Sequence, residues 1–429
     1  MLESYRVVSG PFGSSLKSSA YLTSGGVPFV RIENIRGGFY IDDTNMVYIS
    51  TYDNSRLANS QLYEDDLILS KVGHTIGYFA RVCENISMCN ISENNIGIKL
   101  HDFTKAFKHY ILAYLNTQYA QRLVLRRISG NAQPKLNVGD VCHIPIPIFG
   151  EAICAAISHL ITQSEMIRNN AKASYNDAEK LLLDKLGMTA YVPSQEPTAI
   201  KTLAESLGTS GRLDAEYYQQ KYMDMETALG TCNEVKNLCK IYDAAPHFNA
   251  EQVFNYIELA DIGITGNIIG CTTALFKDLP SRARRLVKSG QVIVSSIEGS
   301  LQSCAIISDE YDGALCSTGF YVLDSDVINP ETLLLLFKSA PIQQLLKKRC
   351  SGTILTAISK SALETMPLPM VDINTQLALA WYIQQSFDFR RQSQKLLDIA
   401  KRTVEIAIED GEEAATTWLQ TQQKQARSV

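Results

Sequence analysis

The sequence predicts an α+β chain made of two α/β domains, each followed by a long helix, with a pseudo-twofold internal repeat. Three observations carry that prediction. The two halves match at a shift of about 222–227 residues. Each matched half closes on a Pro-x-Pro, and an apolar pattern of period 3.5 follows each Pro-x-Pro. Internal repetition constrains a fold more than any local motif, because one architecture must serve both copies.

In chain order, residues 29–35 (FVRIENI) lie over 256–262 (YIELADI), and 66–70 (DLILS) over 291–295 (QVIVS). Both pairs read as short apolar strands. A helix is expected near 105–127 and again near 331–349. The gapless match then runs from 115–148 over 337–370 and is identical at seven of 34 positions. Ser129-Gly130 falls on Ser351-Gly352, Gln121 on Gln343, Leu123 on Leu345, Arg127 on Arg349, and Pro145 and Pro147 on Pro367 and Pro369. These prolines block backward extension of the helix that follows and re-aim the chain.

Within 151–187, Ile153, Ile157, Leu160, Ser164, Ile167, Ala171, Ser174, Ala178 and Leu181 alternate steps of four and three. Leu379, Ile383, Ser386, Arg390, Ser393, Leu397, Ala400, Val404 and Ala407 do the same in the second half. A 3.5-residue period is a coiled-coil seam. Small and polar seam positions leave either helix unstable alone, so its repeat mate is the economical partner; the alternative is that each packs on its own globular half. Residues 189–197 carry two prolines and connect the halves, and the polar segment from Gly411 is expected to fray.

Composition bounds the class. The chain has 429 residues, 45% apolar and 20% charged, which is globular and too long for one core. No apolar run reaches the ~20 residues of a membrane helix, and the first residues lack a signal peptide's pattern, so a soluble, cytoplasmic protein is expected. Ten scattered cysteines with no Cys-x-x-Cys read as reduced, buried hydrophobes and not as zinc ligands.

A net charge of −5 argues against a general polyanion binder, but the basic residues are clustered. No acid occurs between Asp102 and Asp140, where Lys105, Lys108, Arg122, Arg126, Arg127 and Lys135 lie. Lys338, Lys347, Lys348, Arg349 and Lys360 fill a second acid-free window between Glu331 and Glu364. Arg282, Arg284, Arg285 and Lys288 form a third cluster. Local cationic surfaces of this kind suit phosphates.

Catalytic signatures are missing. The sequence has no Asn-Pro-Pro-Tyr-type methyltransferase motif, no Gly-rich phosphate loop after a strand, no Gly-x-Ser-x-Gly and no His-Glu-x-x-His. The six histidines show no metal spacing, and the expectation is a binder with no catalytic residue and no metal site.

The chain resembles the DNA specificity (S) subunit of Type I restriction-modification systems (HsdS-like). The carriers are 10–17 (GPFGSSLK), 27–35 (VPFVRIENI), 129–136 (SGNAQPKL) and 144–147 (IPIP) in the first half. In the second they are 211–218 (GRLDAEYY), 280–285 (PSRARR), 317–320 (STGF) and 351–353 (SGT). The resemblance implies two α/β target-recognition domains, 1–148 and 201–370, and two spacer helices, 149–188 and 371–411, pairing as an antiparallel coiled coil. A linker at 189–200 and a tail at 412–429 complete the division. It further implies a non-catalytic subunit that reads a bipartite sequence in double-stranded DNA and docks two methyltransferase (M) subunits and restriction (R) subunits, in defence against foreign DNA. This chain would bind no cofactor; S-adenosylmethionine belongs to the partner methyltransferase. A specificity subunit of a Type IIB-like system and a duplicated-domain protein-interaction scaffold are the alternatives.

Phosphate contacts position such a protein and base-edge contacts select sequence. Lys17, Arg126, Arg127, Lys135, Lys347, Lys348 and Arg349 are expected on phosphates. Arg31, Asn34, Asn131, Gln133, Arg282, Arg284 and Arg285 are the expected base readers, since Arg suits guanine and Asn or Gln suits adenine. Lys71, His74 and Thr353 complete the expected DNA-binding set. Trp381 and Trp418 either dock partners or fill their own cores.

Overall fold

The computed structural model describes residues 6–73, 75–130, 134–196, 198–209, 211–244, 246–352 and 356–427. They form two compact units: residues 1–168 with 391–429, and residues 169–390. The division falls inside both long helices, so each unit contains a globular head and one half of each helix.

The strands of the first unit are β1 (Arg6–Ser9), β2 (Val27–Val30), β3 (Phe39–Tyr40), β4 (Val47–Ile49), β5 (Gln61–Tyr63), β6 (Leu67–Ser70), β7 (Phe79–Arg81), β8 (Met88–Ile91) and β9 (Asn95–Lys99). They make two sheets, ordered β1-β9-β6-β7-β3 and β4-β2-β8-β5. Side chains alternate across a strand. Leu67 and Leu69 of β6 therefore join one core with Tyr110 and Leu112, while Ile68 joins Val30, Leu62 and Ile91 of the second sheet. A strand buried on both faces must be apolar throughout, which is why 67–69 reads as a continuous run.

Helices α1 (Thr51–Arg56), α2 (Lys105–Leu115), α3 (Gln118–Leu125), α4 (Val138–Cys142) and α5 (Glu151–Lys185) follow in this half. Thr104 and Thr117 cap α2 and α3, their hydroxyls accepting the Phe107 and Ala120 N–H groups.

The second unit repeats this plan. Its strands are β10 (Cys232–Glu234), β11 (Lys240–Tyr242), β12 (Val253–Ile257), β13 (Thr272–Leu275), β14 (Ala283–Leu286), β15 (Val292–Ser295), β16 (Cys304–Ile306), β17 (Leu315–Ser317), β18 (Phe320–Asp324), β19 (Cys350–Ser351), β20 (Ala357–Ile358) and β21 (Pro367–Pro369). The sheets β11-β18-β15-β16 and β13-β12-β17-β14 reproduce, strand for strand, β1-β9-β6-β7 and β4-β2-β8-β5. The parallel pair also recurs: Phe29 of β2 lies opposite Asn90, and Tyr256 of β12 opposite Leu315. In β15, Val292 and Val294 face the helices and Ile293 the second sheet, as in β6.

This half contains α6 (Leu203–Thr209), α7 (Gln220–Ala228), α8 (Val235–Leu238), α9 (Pro330–Lys338), α10 (Ala340–Arg349) and α11 (Lys360–Glu364), then α12 (Ile373–Asp410) and α13 (Glu412–Arg427). The shared glutamine does the same work twice. Gln121 Nε2 donates to the Leu115 and Gly77 carbonyls, and Gln343 Nε2 to those of Phe337 and Leu301.

The long helices run antiparallel and touch through small residues. In the first unit Ser164 and Ser393 are buried, their hydroxyls 2.8 Å apart, and each donates to the other's carbonyl. In the second, Ser386 Oγ reaches the Ala171 carbonyl at 2.7 Å and Ser174 Oγ that of Tyr382 at 2.8 Å. Seam positions Ile153, Ile157 and Leu160 and their partners Leu397, Ala400 and Val404 also enter the head's core, joined by Cys154 and Ile161 from the next helix face. Pairing with the mate and packing on the head thus occur together.

The segment after Gly411 differs from its expectation. It is helix α13, with Ala415 and Leu419 buried in the first unit's core and Trp418 packed against it. Glu412 accepts the Gly150 N–H with both oxygens. One apolar face at i, i+3 and i+4 suffices to dock a helix that is polar on average. Trp381, in contrast, is 54% exposed on α12.

The first unit also buries a charged network. Arg81 Nη1 lies 2.6 Å from Asp65, its Nη2 pairs with Glu165 of α5, and His109 Nε2 is 3.0 Å from the same Asp65 oxygen. His109 Nδ1 lies 2.9 Å from Ser158 Oγ of α5, so the network ties head to helix. The ten cysteines are free, and among the described residues no helix is long and apolar enough to cross a membrane.

Candidate nucleic-acid interface

Three stretches meet at one corner of each unit: the end of β6 or β15, the turn before β9 or β18, and the Ser-Gly loop. In the first unit Lys135 pairs with both Ser129 and Val72. Leu136 N–H donates to the Lys71 carbonyl, and Lys71 N–H to that of Asn94. In the second unit Ala357 pairs with Ser351 and Ile297, Ile358 N–H donates to the Ser296 carbonyl, and Ser296 N–H to that of Gly319. The corner is repeated bond for bond. Gly130 and Gly352 sit at φ of +94° and +126°, where a side chain would be strained, which accounts for the shared Ser-Gly.

The charges around the corners differ. In the first unit Lys17, Arg126 and Lys135 are exposed, and Arg126 makes no side-chain hydrogen bond among the described residues. Lys71 Nζ donates to the Glu93 carbonyl at 2.9 Å. Arg31 pairs with Glu33 and donates to the Asn45 carbonyl, stacking 6.0 Å from the Tyr21 ring. Asn34 is fully buried: its Oδ1 accepts the Arg31 N–H and its Nδ2 donates to the Asp42 and Thr44 carbonyls. It holds a turn and presents nothing to a base edge.

Arg127 and Arg349, identical in the two halves, are braces. Arg127 donates to the carbonyls of Asp140 and His143, and Arg349 to Thr365 Oγ1. Each ties the end of a helix to the short helix before Pro-x-Pro. Burial pulls the Arg349 guanidinium below its usual range.

The second basic window is largely neutralised in space. Lys348 is buried and pairs with Glu226 at 2.9 Å, Lys360 pairs with Asp243 at 3.0 Å, and Lys338 is buried with Nζ on the Gln302 carbonyl. Burial pushes Lys338 below the usual lysine range. Lys347 is exposed. Absence of acids from a stretch of sequence does not keep acids from reaching it through the fold.

Arg282 is exposed at the second corner, where its carbonyl accepts the Thr318 N–H; its guanidinium meets Tyr256 Oη and Glu258. Arg284 donates to the Ser281 carbonyl beside the Phe276 ring. Arg285 is half-buried 5.0 Å from the Tyr321 ring, and its Nε and Nη1 have no acceptor among the described residues. The 211–218 stretch serves structure: Arg212 pairs with Asp214, donates to the Cys350 carbonyl and covers the Tyr217 ring. His74, Asn131, Gln133 and Thr353 lie outside the described residues. Among the described residues no group of three or more His, Cys, Asp or Glu side chains is placed to hold a metal ion.

Glu93 is not among the sequence candidates. Its only sequence signal is its place in the turn that corresponds to 317–320.

No family model matches the chain. Among solved structures, similarity covers 93% of this chain and 92% of the Type-I restriction-modification system S subunit from M. genitalium, at 11% identity and a TM-score of 0.42. It covers 94% of this chain and 97% of the HsdS subunit from Thermoanaerobacter tengcongensis, at 15% identity and a TM-score of 0.27. In sequence, 166 residues are 25% identical to the Type I restriction enzyme HindI specificity subunit of Haemophilus influenzae, and this chain covers 32% of that relative's length. Over 38% of its own length, therefore, the chain is similar in sequence to a Type I specificity subunit.

Proposed function

We propose that this chain is the sequence-specificity subunit of a restriction-modification complex. Its two heads read the two halves of a bipartite site in double-stranded DNA, and it docks the methyltransferase and restriction subunits that supply the chemistry. The observation that carries the reading is the corner repeated in both units with different side chains around it. A duplicated scaffold with unlike surfaces is what two unlike half-sites require. The similarity to the Haemophilus influenzae specificity subunit supports it.

In this reading Lys17, Arg126, Lys135 and Lys347 contact phosphates, and Arg31, Arg282 and Arg284 reach bases, with the helix pair setting the unread gap. The chain itself performs no bond-making step; adenine extrusion and methylation fall to the partner. The test is to map modified adenines in DNA from cells carrying the whole operon, then exchange residues 1–148 for those of a relative. One half-site should change and the other persist. If both change, or neither does, the two-headed reading fails.

The burial of Lys338 and the ion pairing of Lys348 and Lys360 favour the protein-interaction scaffold as the second reading. It predicts no salt-sensitive binding of duplex DNA.

A further inference from the structure

Apart from Lys17, the loop at 10–17 has no role in the reading so far, yet it is braced. Gly10 approaches the neighbouring turn so closely that a Cβ there would lie 1.9 Å from the Ser92 carbonyl oxygen. Gly13 N–H donates to Glu93 Oε2 at 2.6 Å, and Arg56 Nη2 donates to the Ser15 carbonyl at 2.7 Å. Between this loop and the turn lies a cleft of about 360 Å³, walled by Phe12, Tyr21, Phe29, Arg31, Glu33 and Glu93.

Two features of the cleft are unusual for a surface that meets DNA. Phe12 is 80% exposed at the loop tip and, among the described residues, stacks on no ring. Glu93 is exposed, but one carboxylate oxygen is fixed by a backbone N–H and its own carbonyl takes Lys71 Nζ, so the second oxygen is a pre-positioned acceptor. Glu33 is already paired with Arg31. An exposed carboxylate repels phosphate, and it is favourable against DNA only where it accepts from a base amino group. In the second unit the aligned turn has Thr318 instead, so the feature belongs to one head.

We propose that Glu93 is a specificity-determining residue of the first head. Its free oxygen accepts the exocyclic amino group of a base in the major groove, cytosine N4 or adenine N6, and Phe12 packs on that base or its neighbour. The inference rests on the DNA-reading function proposed above. It adds an acidic reader to a set expected to contain only Arg, Asn and Gln.

The test measures binding of the full chain to duplexes in which single bases of the first half-site lack the amino group, purine for adenine or 2-pyrimidinone for cytosine. Wild type should lose about 10- to 100-fold at one position. Glu93→Gln keeps an oxygen for the Gly13 N–H but turns a donor toward the base. It should lose discrimination at that position while reading the second half-site unchanged. Phe12→Ala should weaken binding to every duplex with that half-site. Retention of the wild-type ratio at every position by Glu93→Gln overturns the assignment, as does equal loss in both half-sites. If wild type binds duplex DNA without salt or sequence dependence, the DNA-reading function itself falls, and Glu93 with it.

Discussion

Replacing Arg81 with Met removes the centre of the buried network that joins the first head to α5. The Arg81 side chain is 1% exposed, and its carboxylate partners Asp65 and Glu165 are 7% and 13% exposed. Breaking a buried ion pair by deleting one partner costs about 3–5 kcal/mol, mostly for the charge left behind. Asp65 keeps His109 3.0 Å away, so one carboxylate stays compensated, and Glu165 is nearest solvent. The expected loss therefore lies at the lower end, about 3 kcal/mol.

Urea unfolding of the full chain checks it, with single-tryptophan variants as local probes: Trp418 packs on the first unit's core and Trp381 lies in the second. The first transition should move to lower urea and the second should not. Adding Asp65→Asn and Glu165→Gln should return part of the loss, because no charge is then stranded. A loss below about 1 kcal/mol, or an equal shift in both units, refutes the reasoning.

Acid sharpens the test. Burial alone would raise the Asp65 carboxyl, but the His109 hydrogen bond and the charges of His109 and Arg81 outweigh it and hold it below its ordinary 3.8. A depressed native value stabilises above the unfolded value and is lost as pH falls through the native one. Without Arg81 that loss begins at higher pH.

Further predictions concern the seam, the repeat, the charges and the spacer. Ser164→Leu forces a large side chain into a 2.8 Å hydroxyl contact and should destabilise by about 1–3 kcal/mol in thermal or urea unfolding. Gln121→Ala removes the donor to the Leu115 and Gly77 carbonyls and Gln343→Ala that to the Phe337 carbonyl, the Leu301 carbonyl keeping Cys304 Sγ, so each should cost about 1–3 kcal/mol, read by hydrogen exchange in its own head alone. Arg126→Ala with Lys135→Ala should weaken binding to all duplexes alike and reduce the slope of log K against log salt by up to about 2, measured by anisotropy titration. A heptad inserted in α5 between Ser164 and Ala171, matched by one in α12 between Ser386 and Ser393, preserves the seam and adds about 10.5 Å of helix. The unread gap should grow by about three base pairs at 3.4 Å each, read from the modified adenines.

The duplication, the order of elements and the two seams were written in the sequence, because they depend on periodicity and on local rules. Leu67–Leu69 had to be apolar to be buried on both faces, Pro367 had to start a new element, and Ser164 and Ser393 had to be small where two backbones meet. Only the tertiary structure decided which cations face solvent. Glu226 and Asp243 come from elements more than a hundred residues away to neutralise Lys348 and Lys360, and no window along the chain contains them. The same holds for α13, docked by a few apolar residues, and for Glu93, whose role depends on a Gly13 N–H eighty positions earlier. Periodicity is a one-dimensional property, whereas charge compensation depends on distance in space.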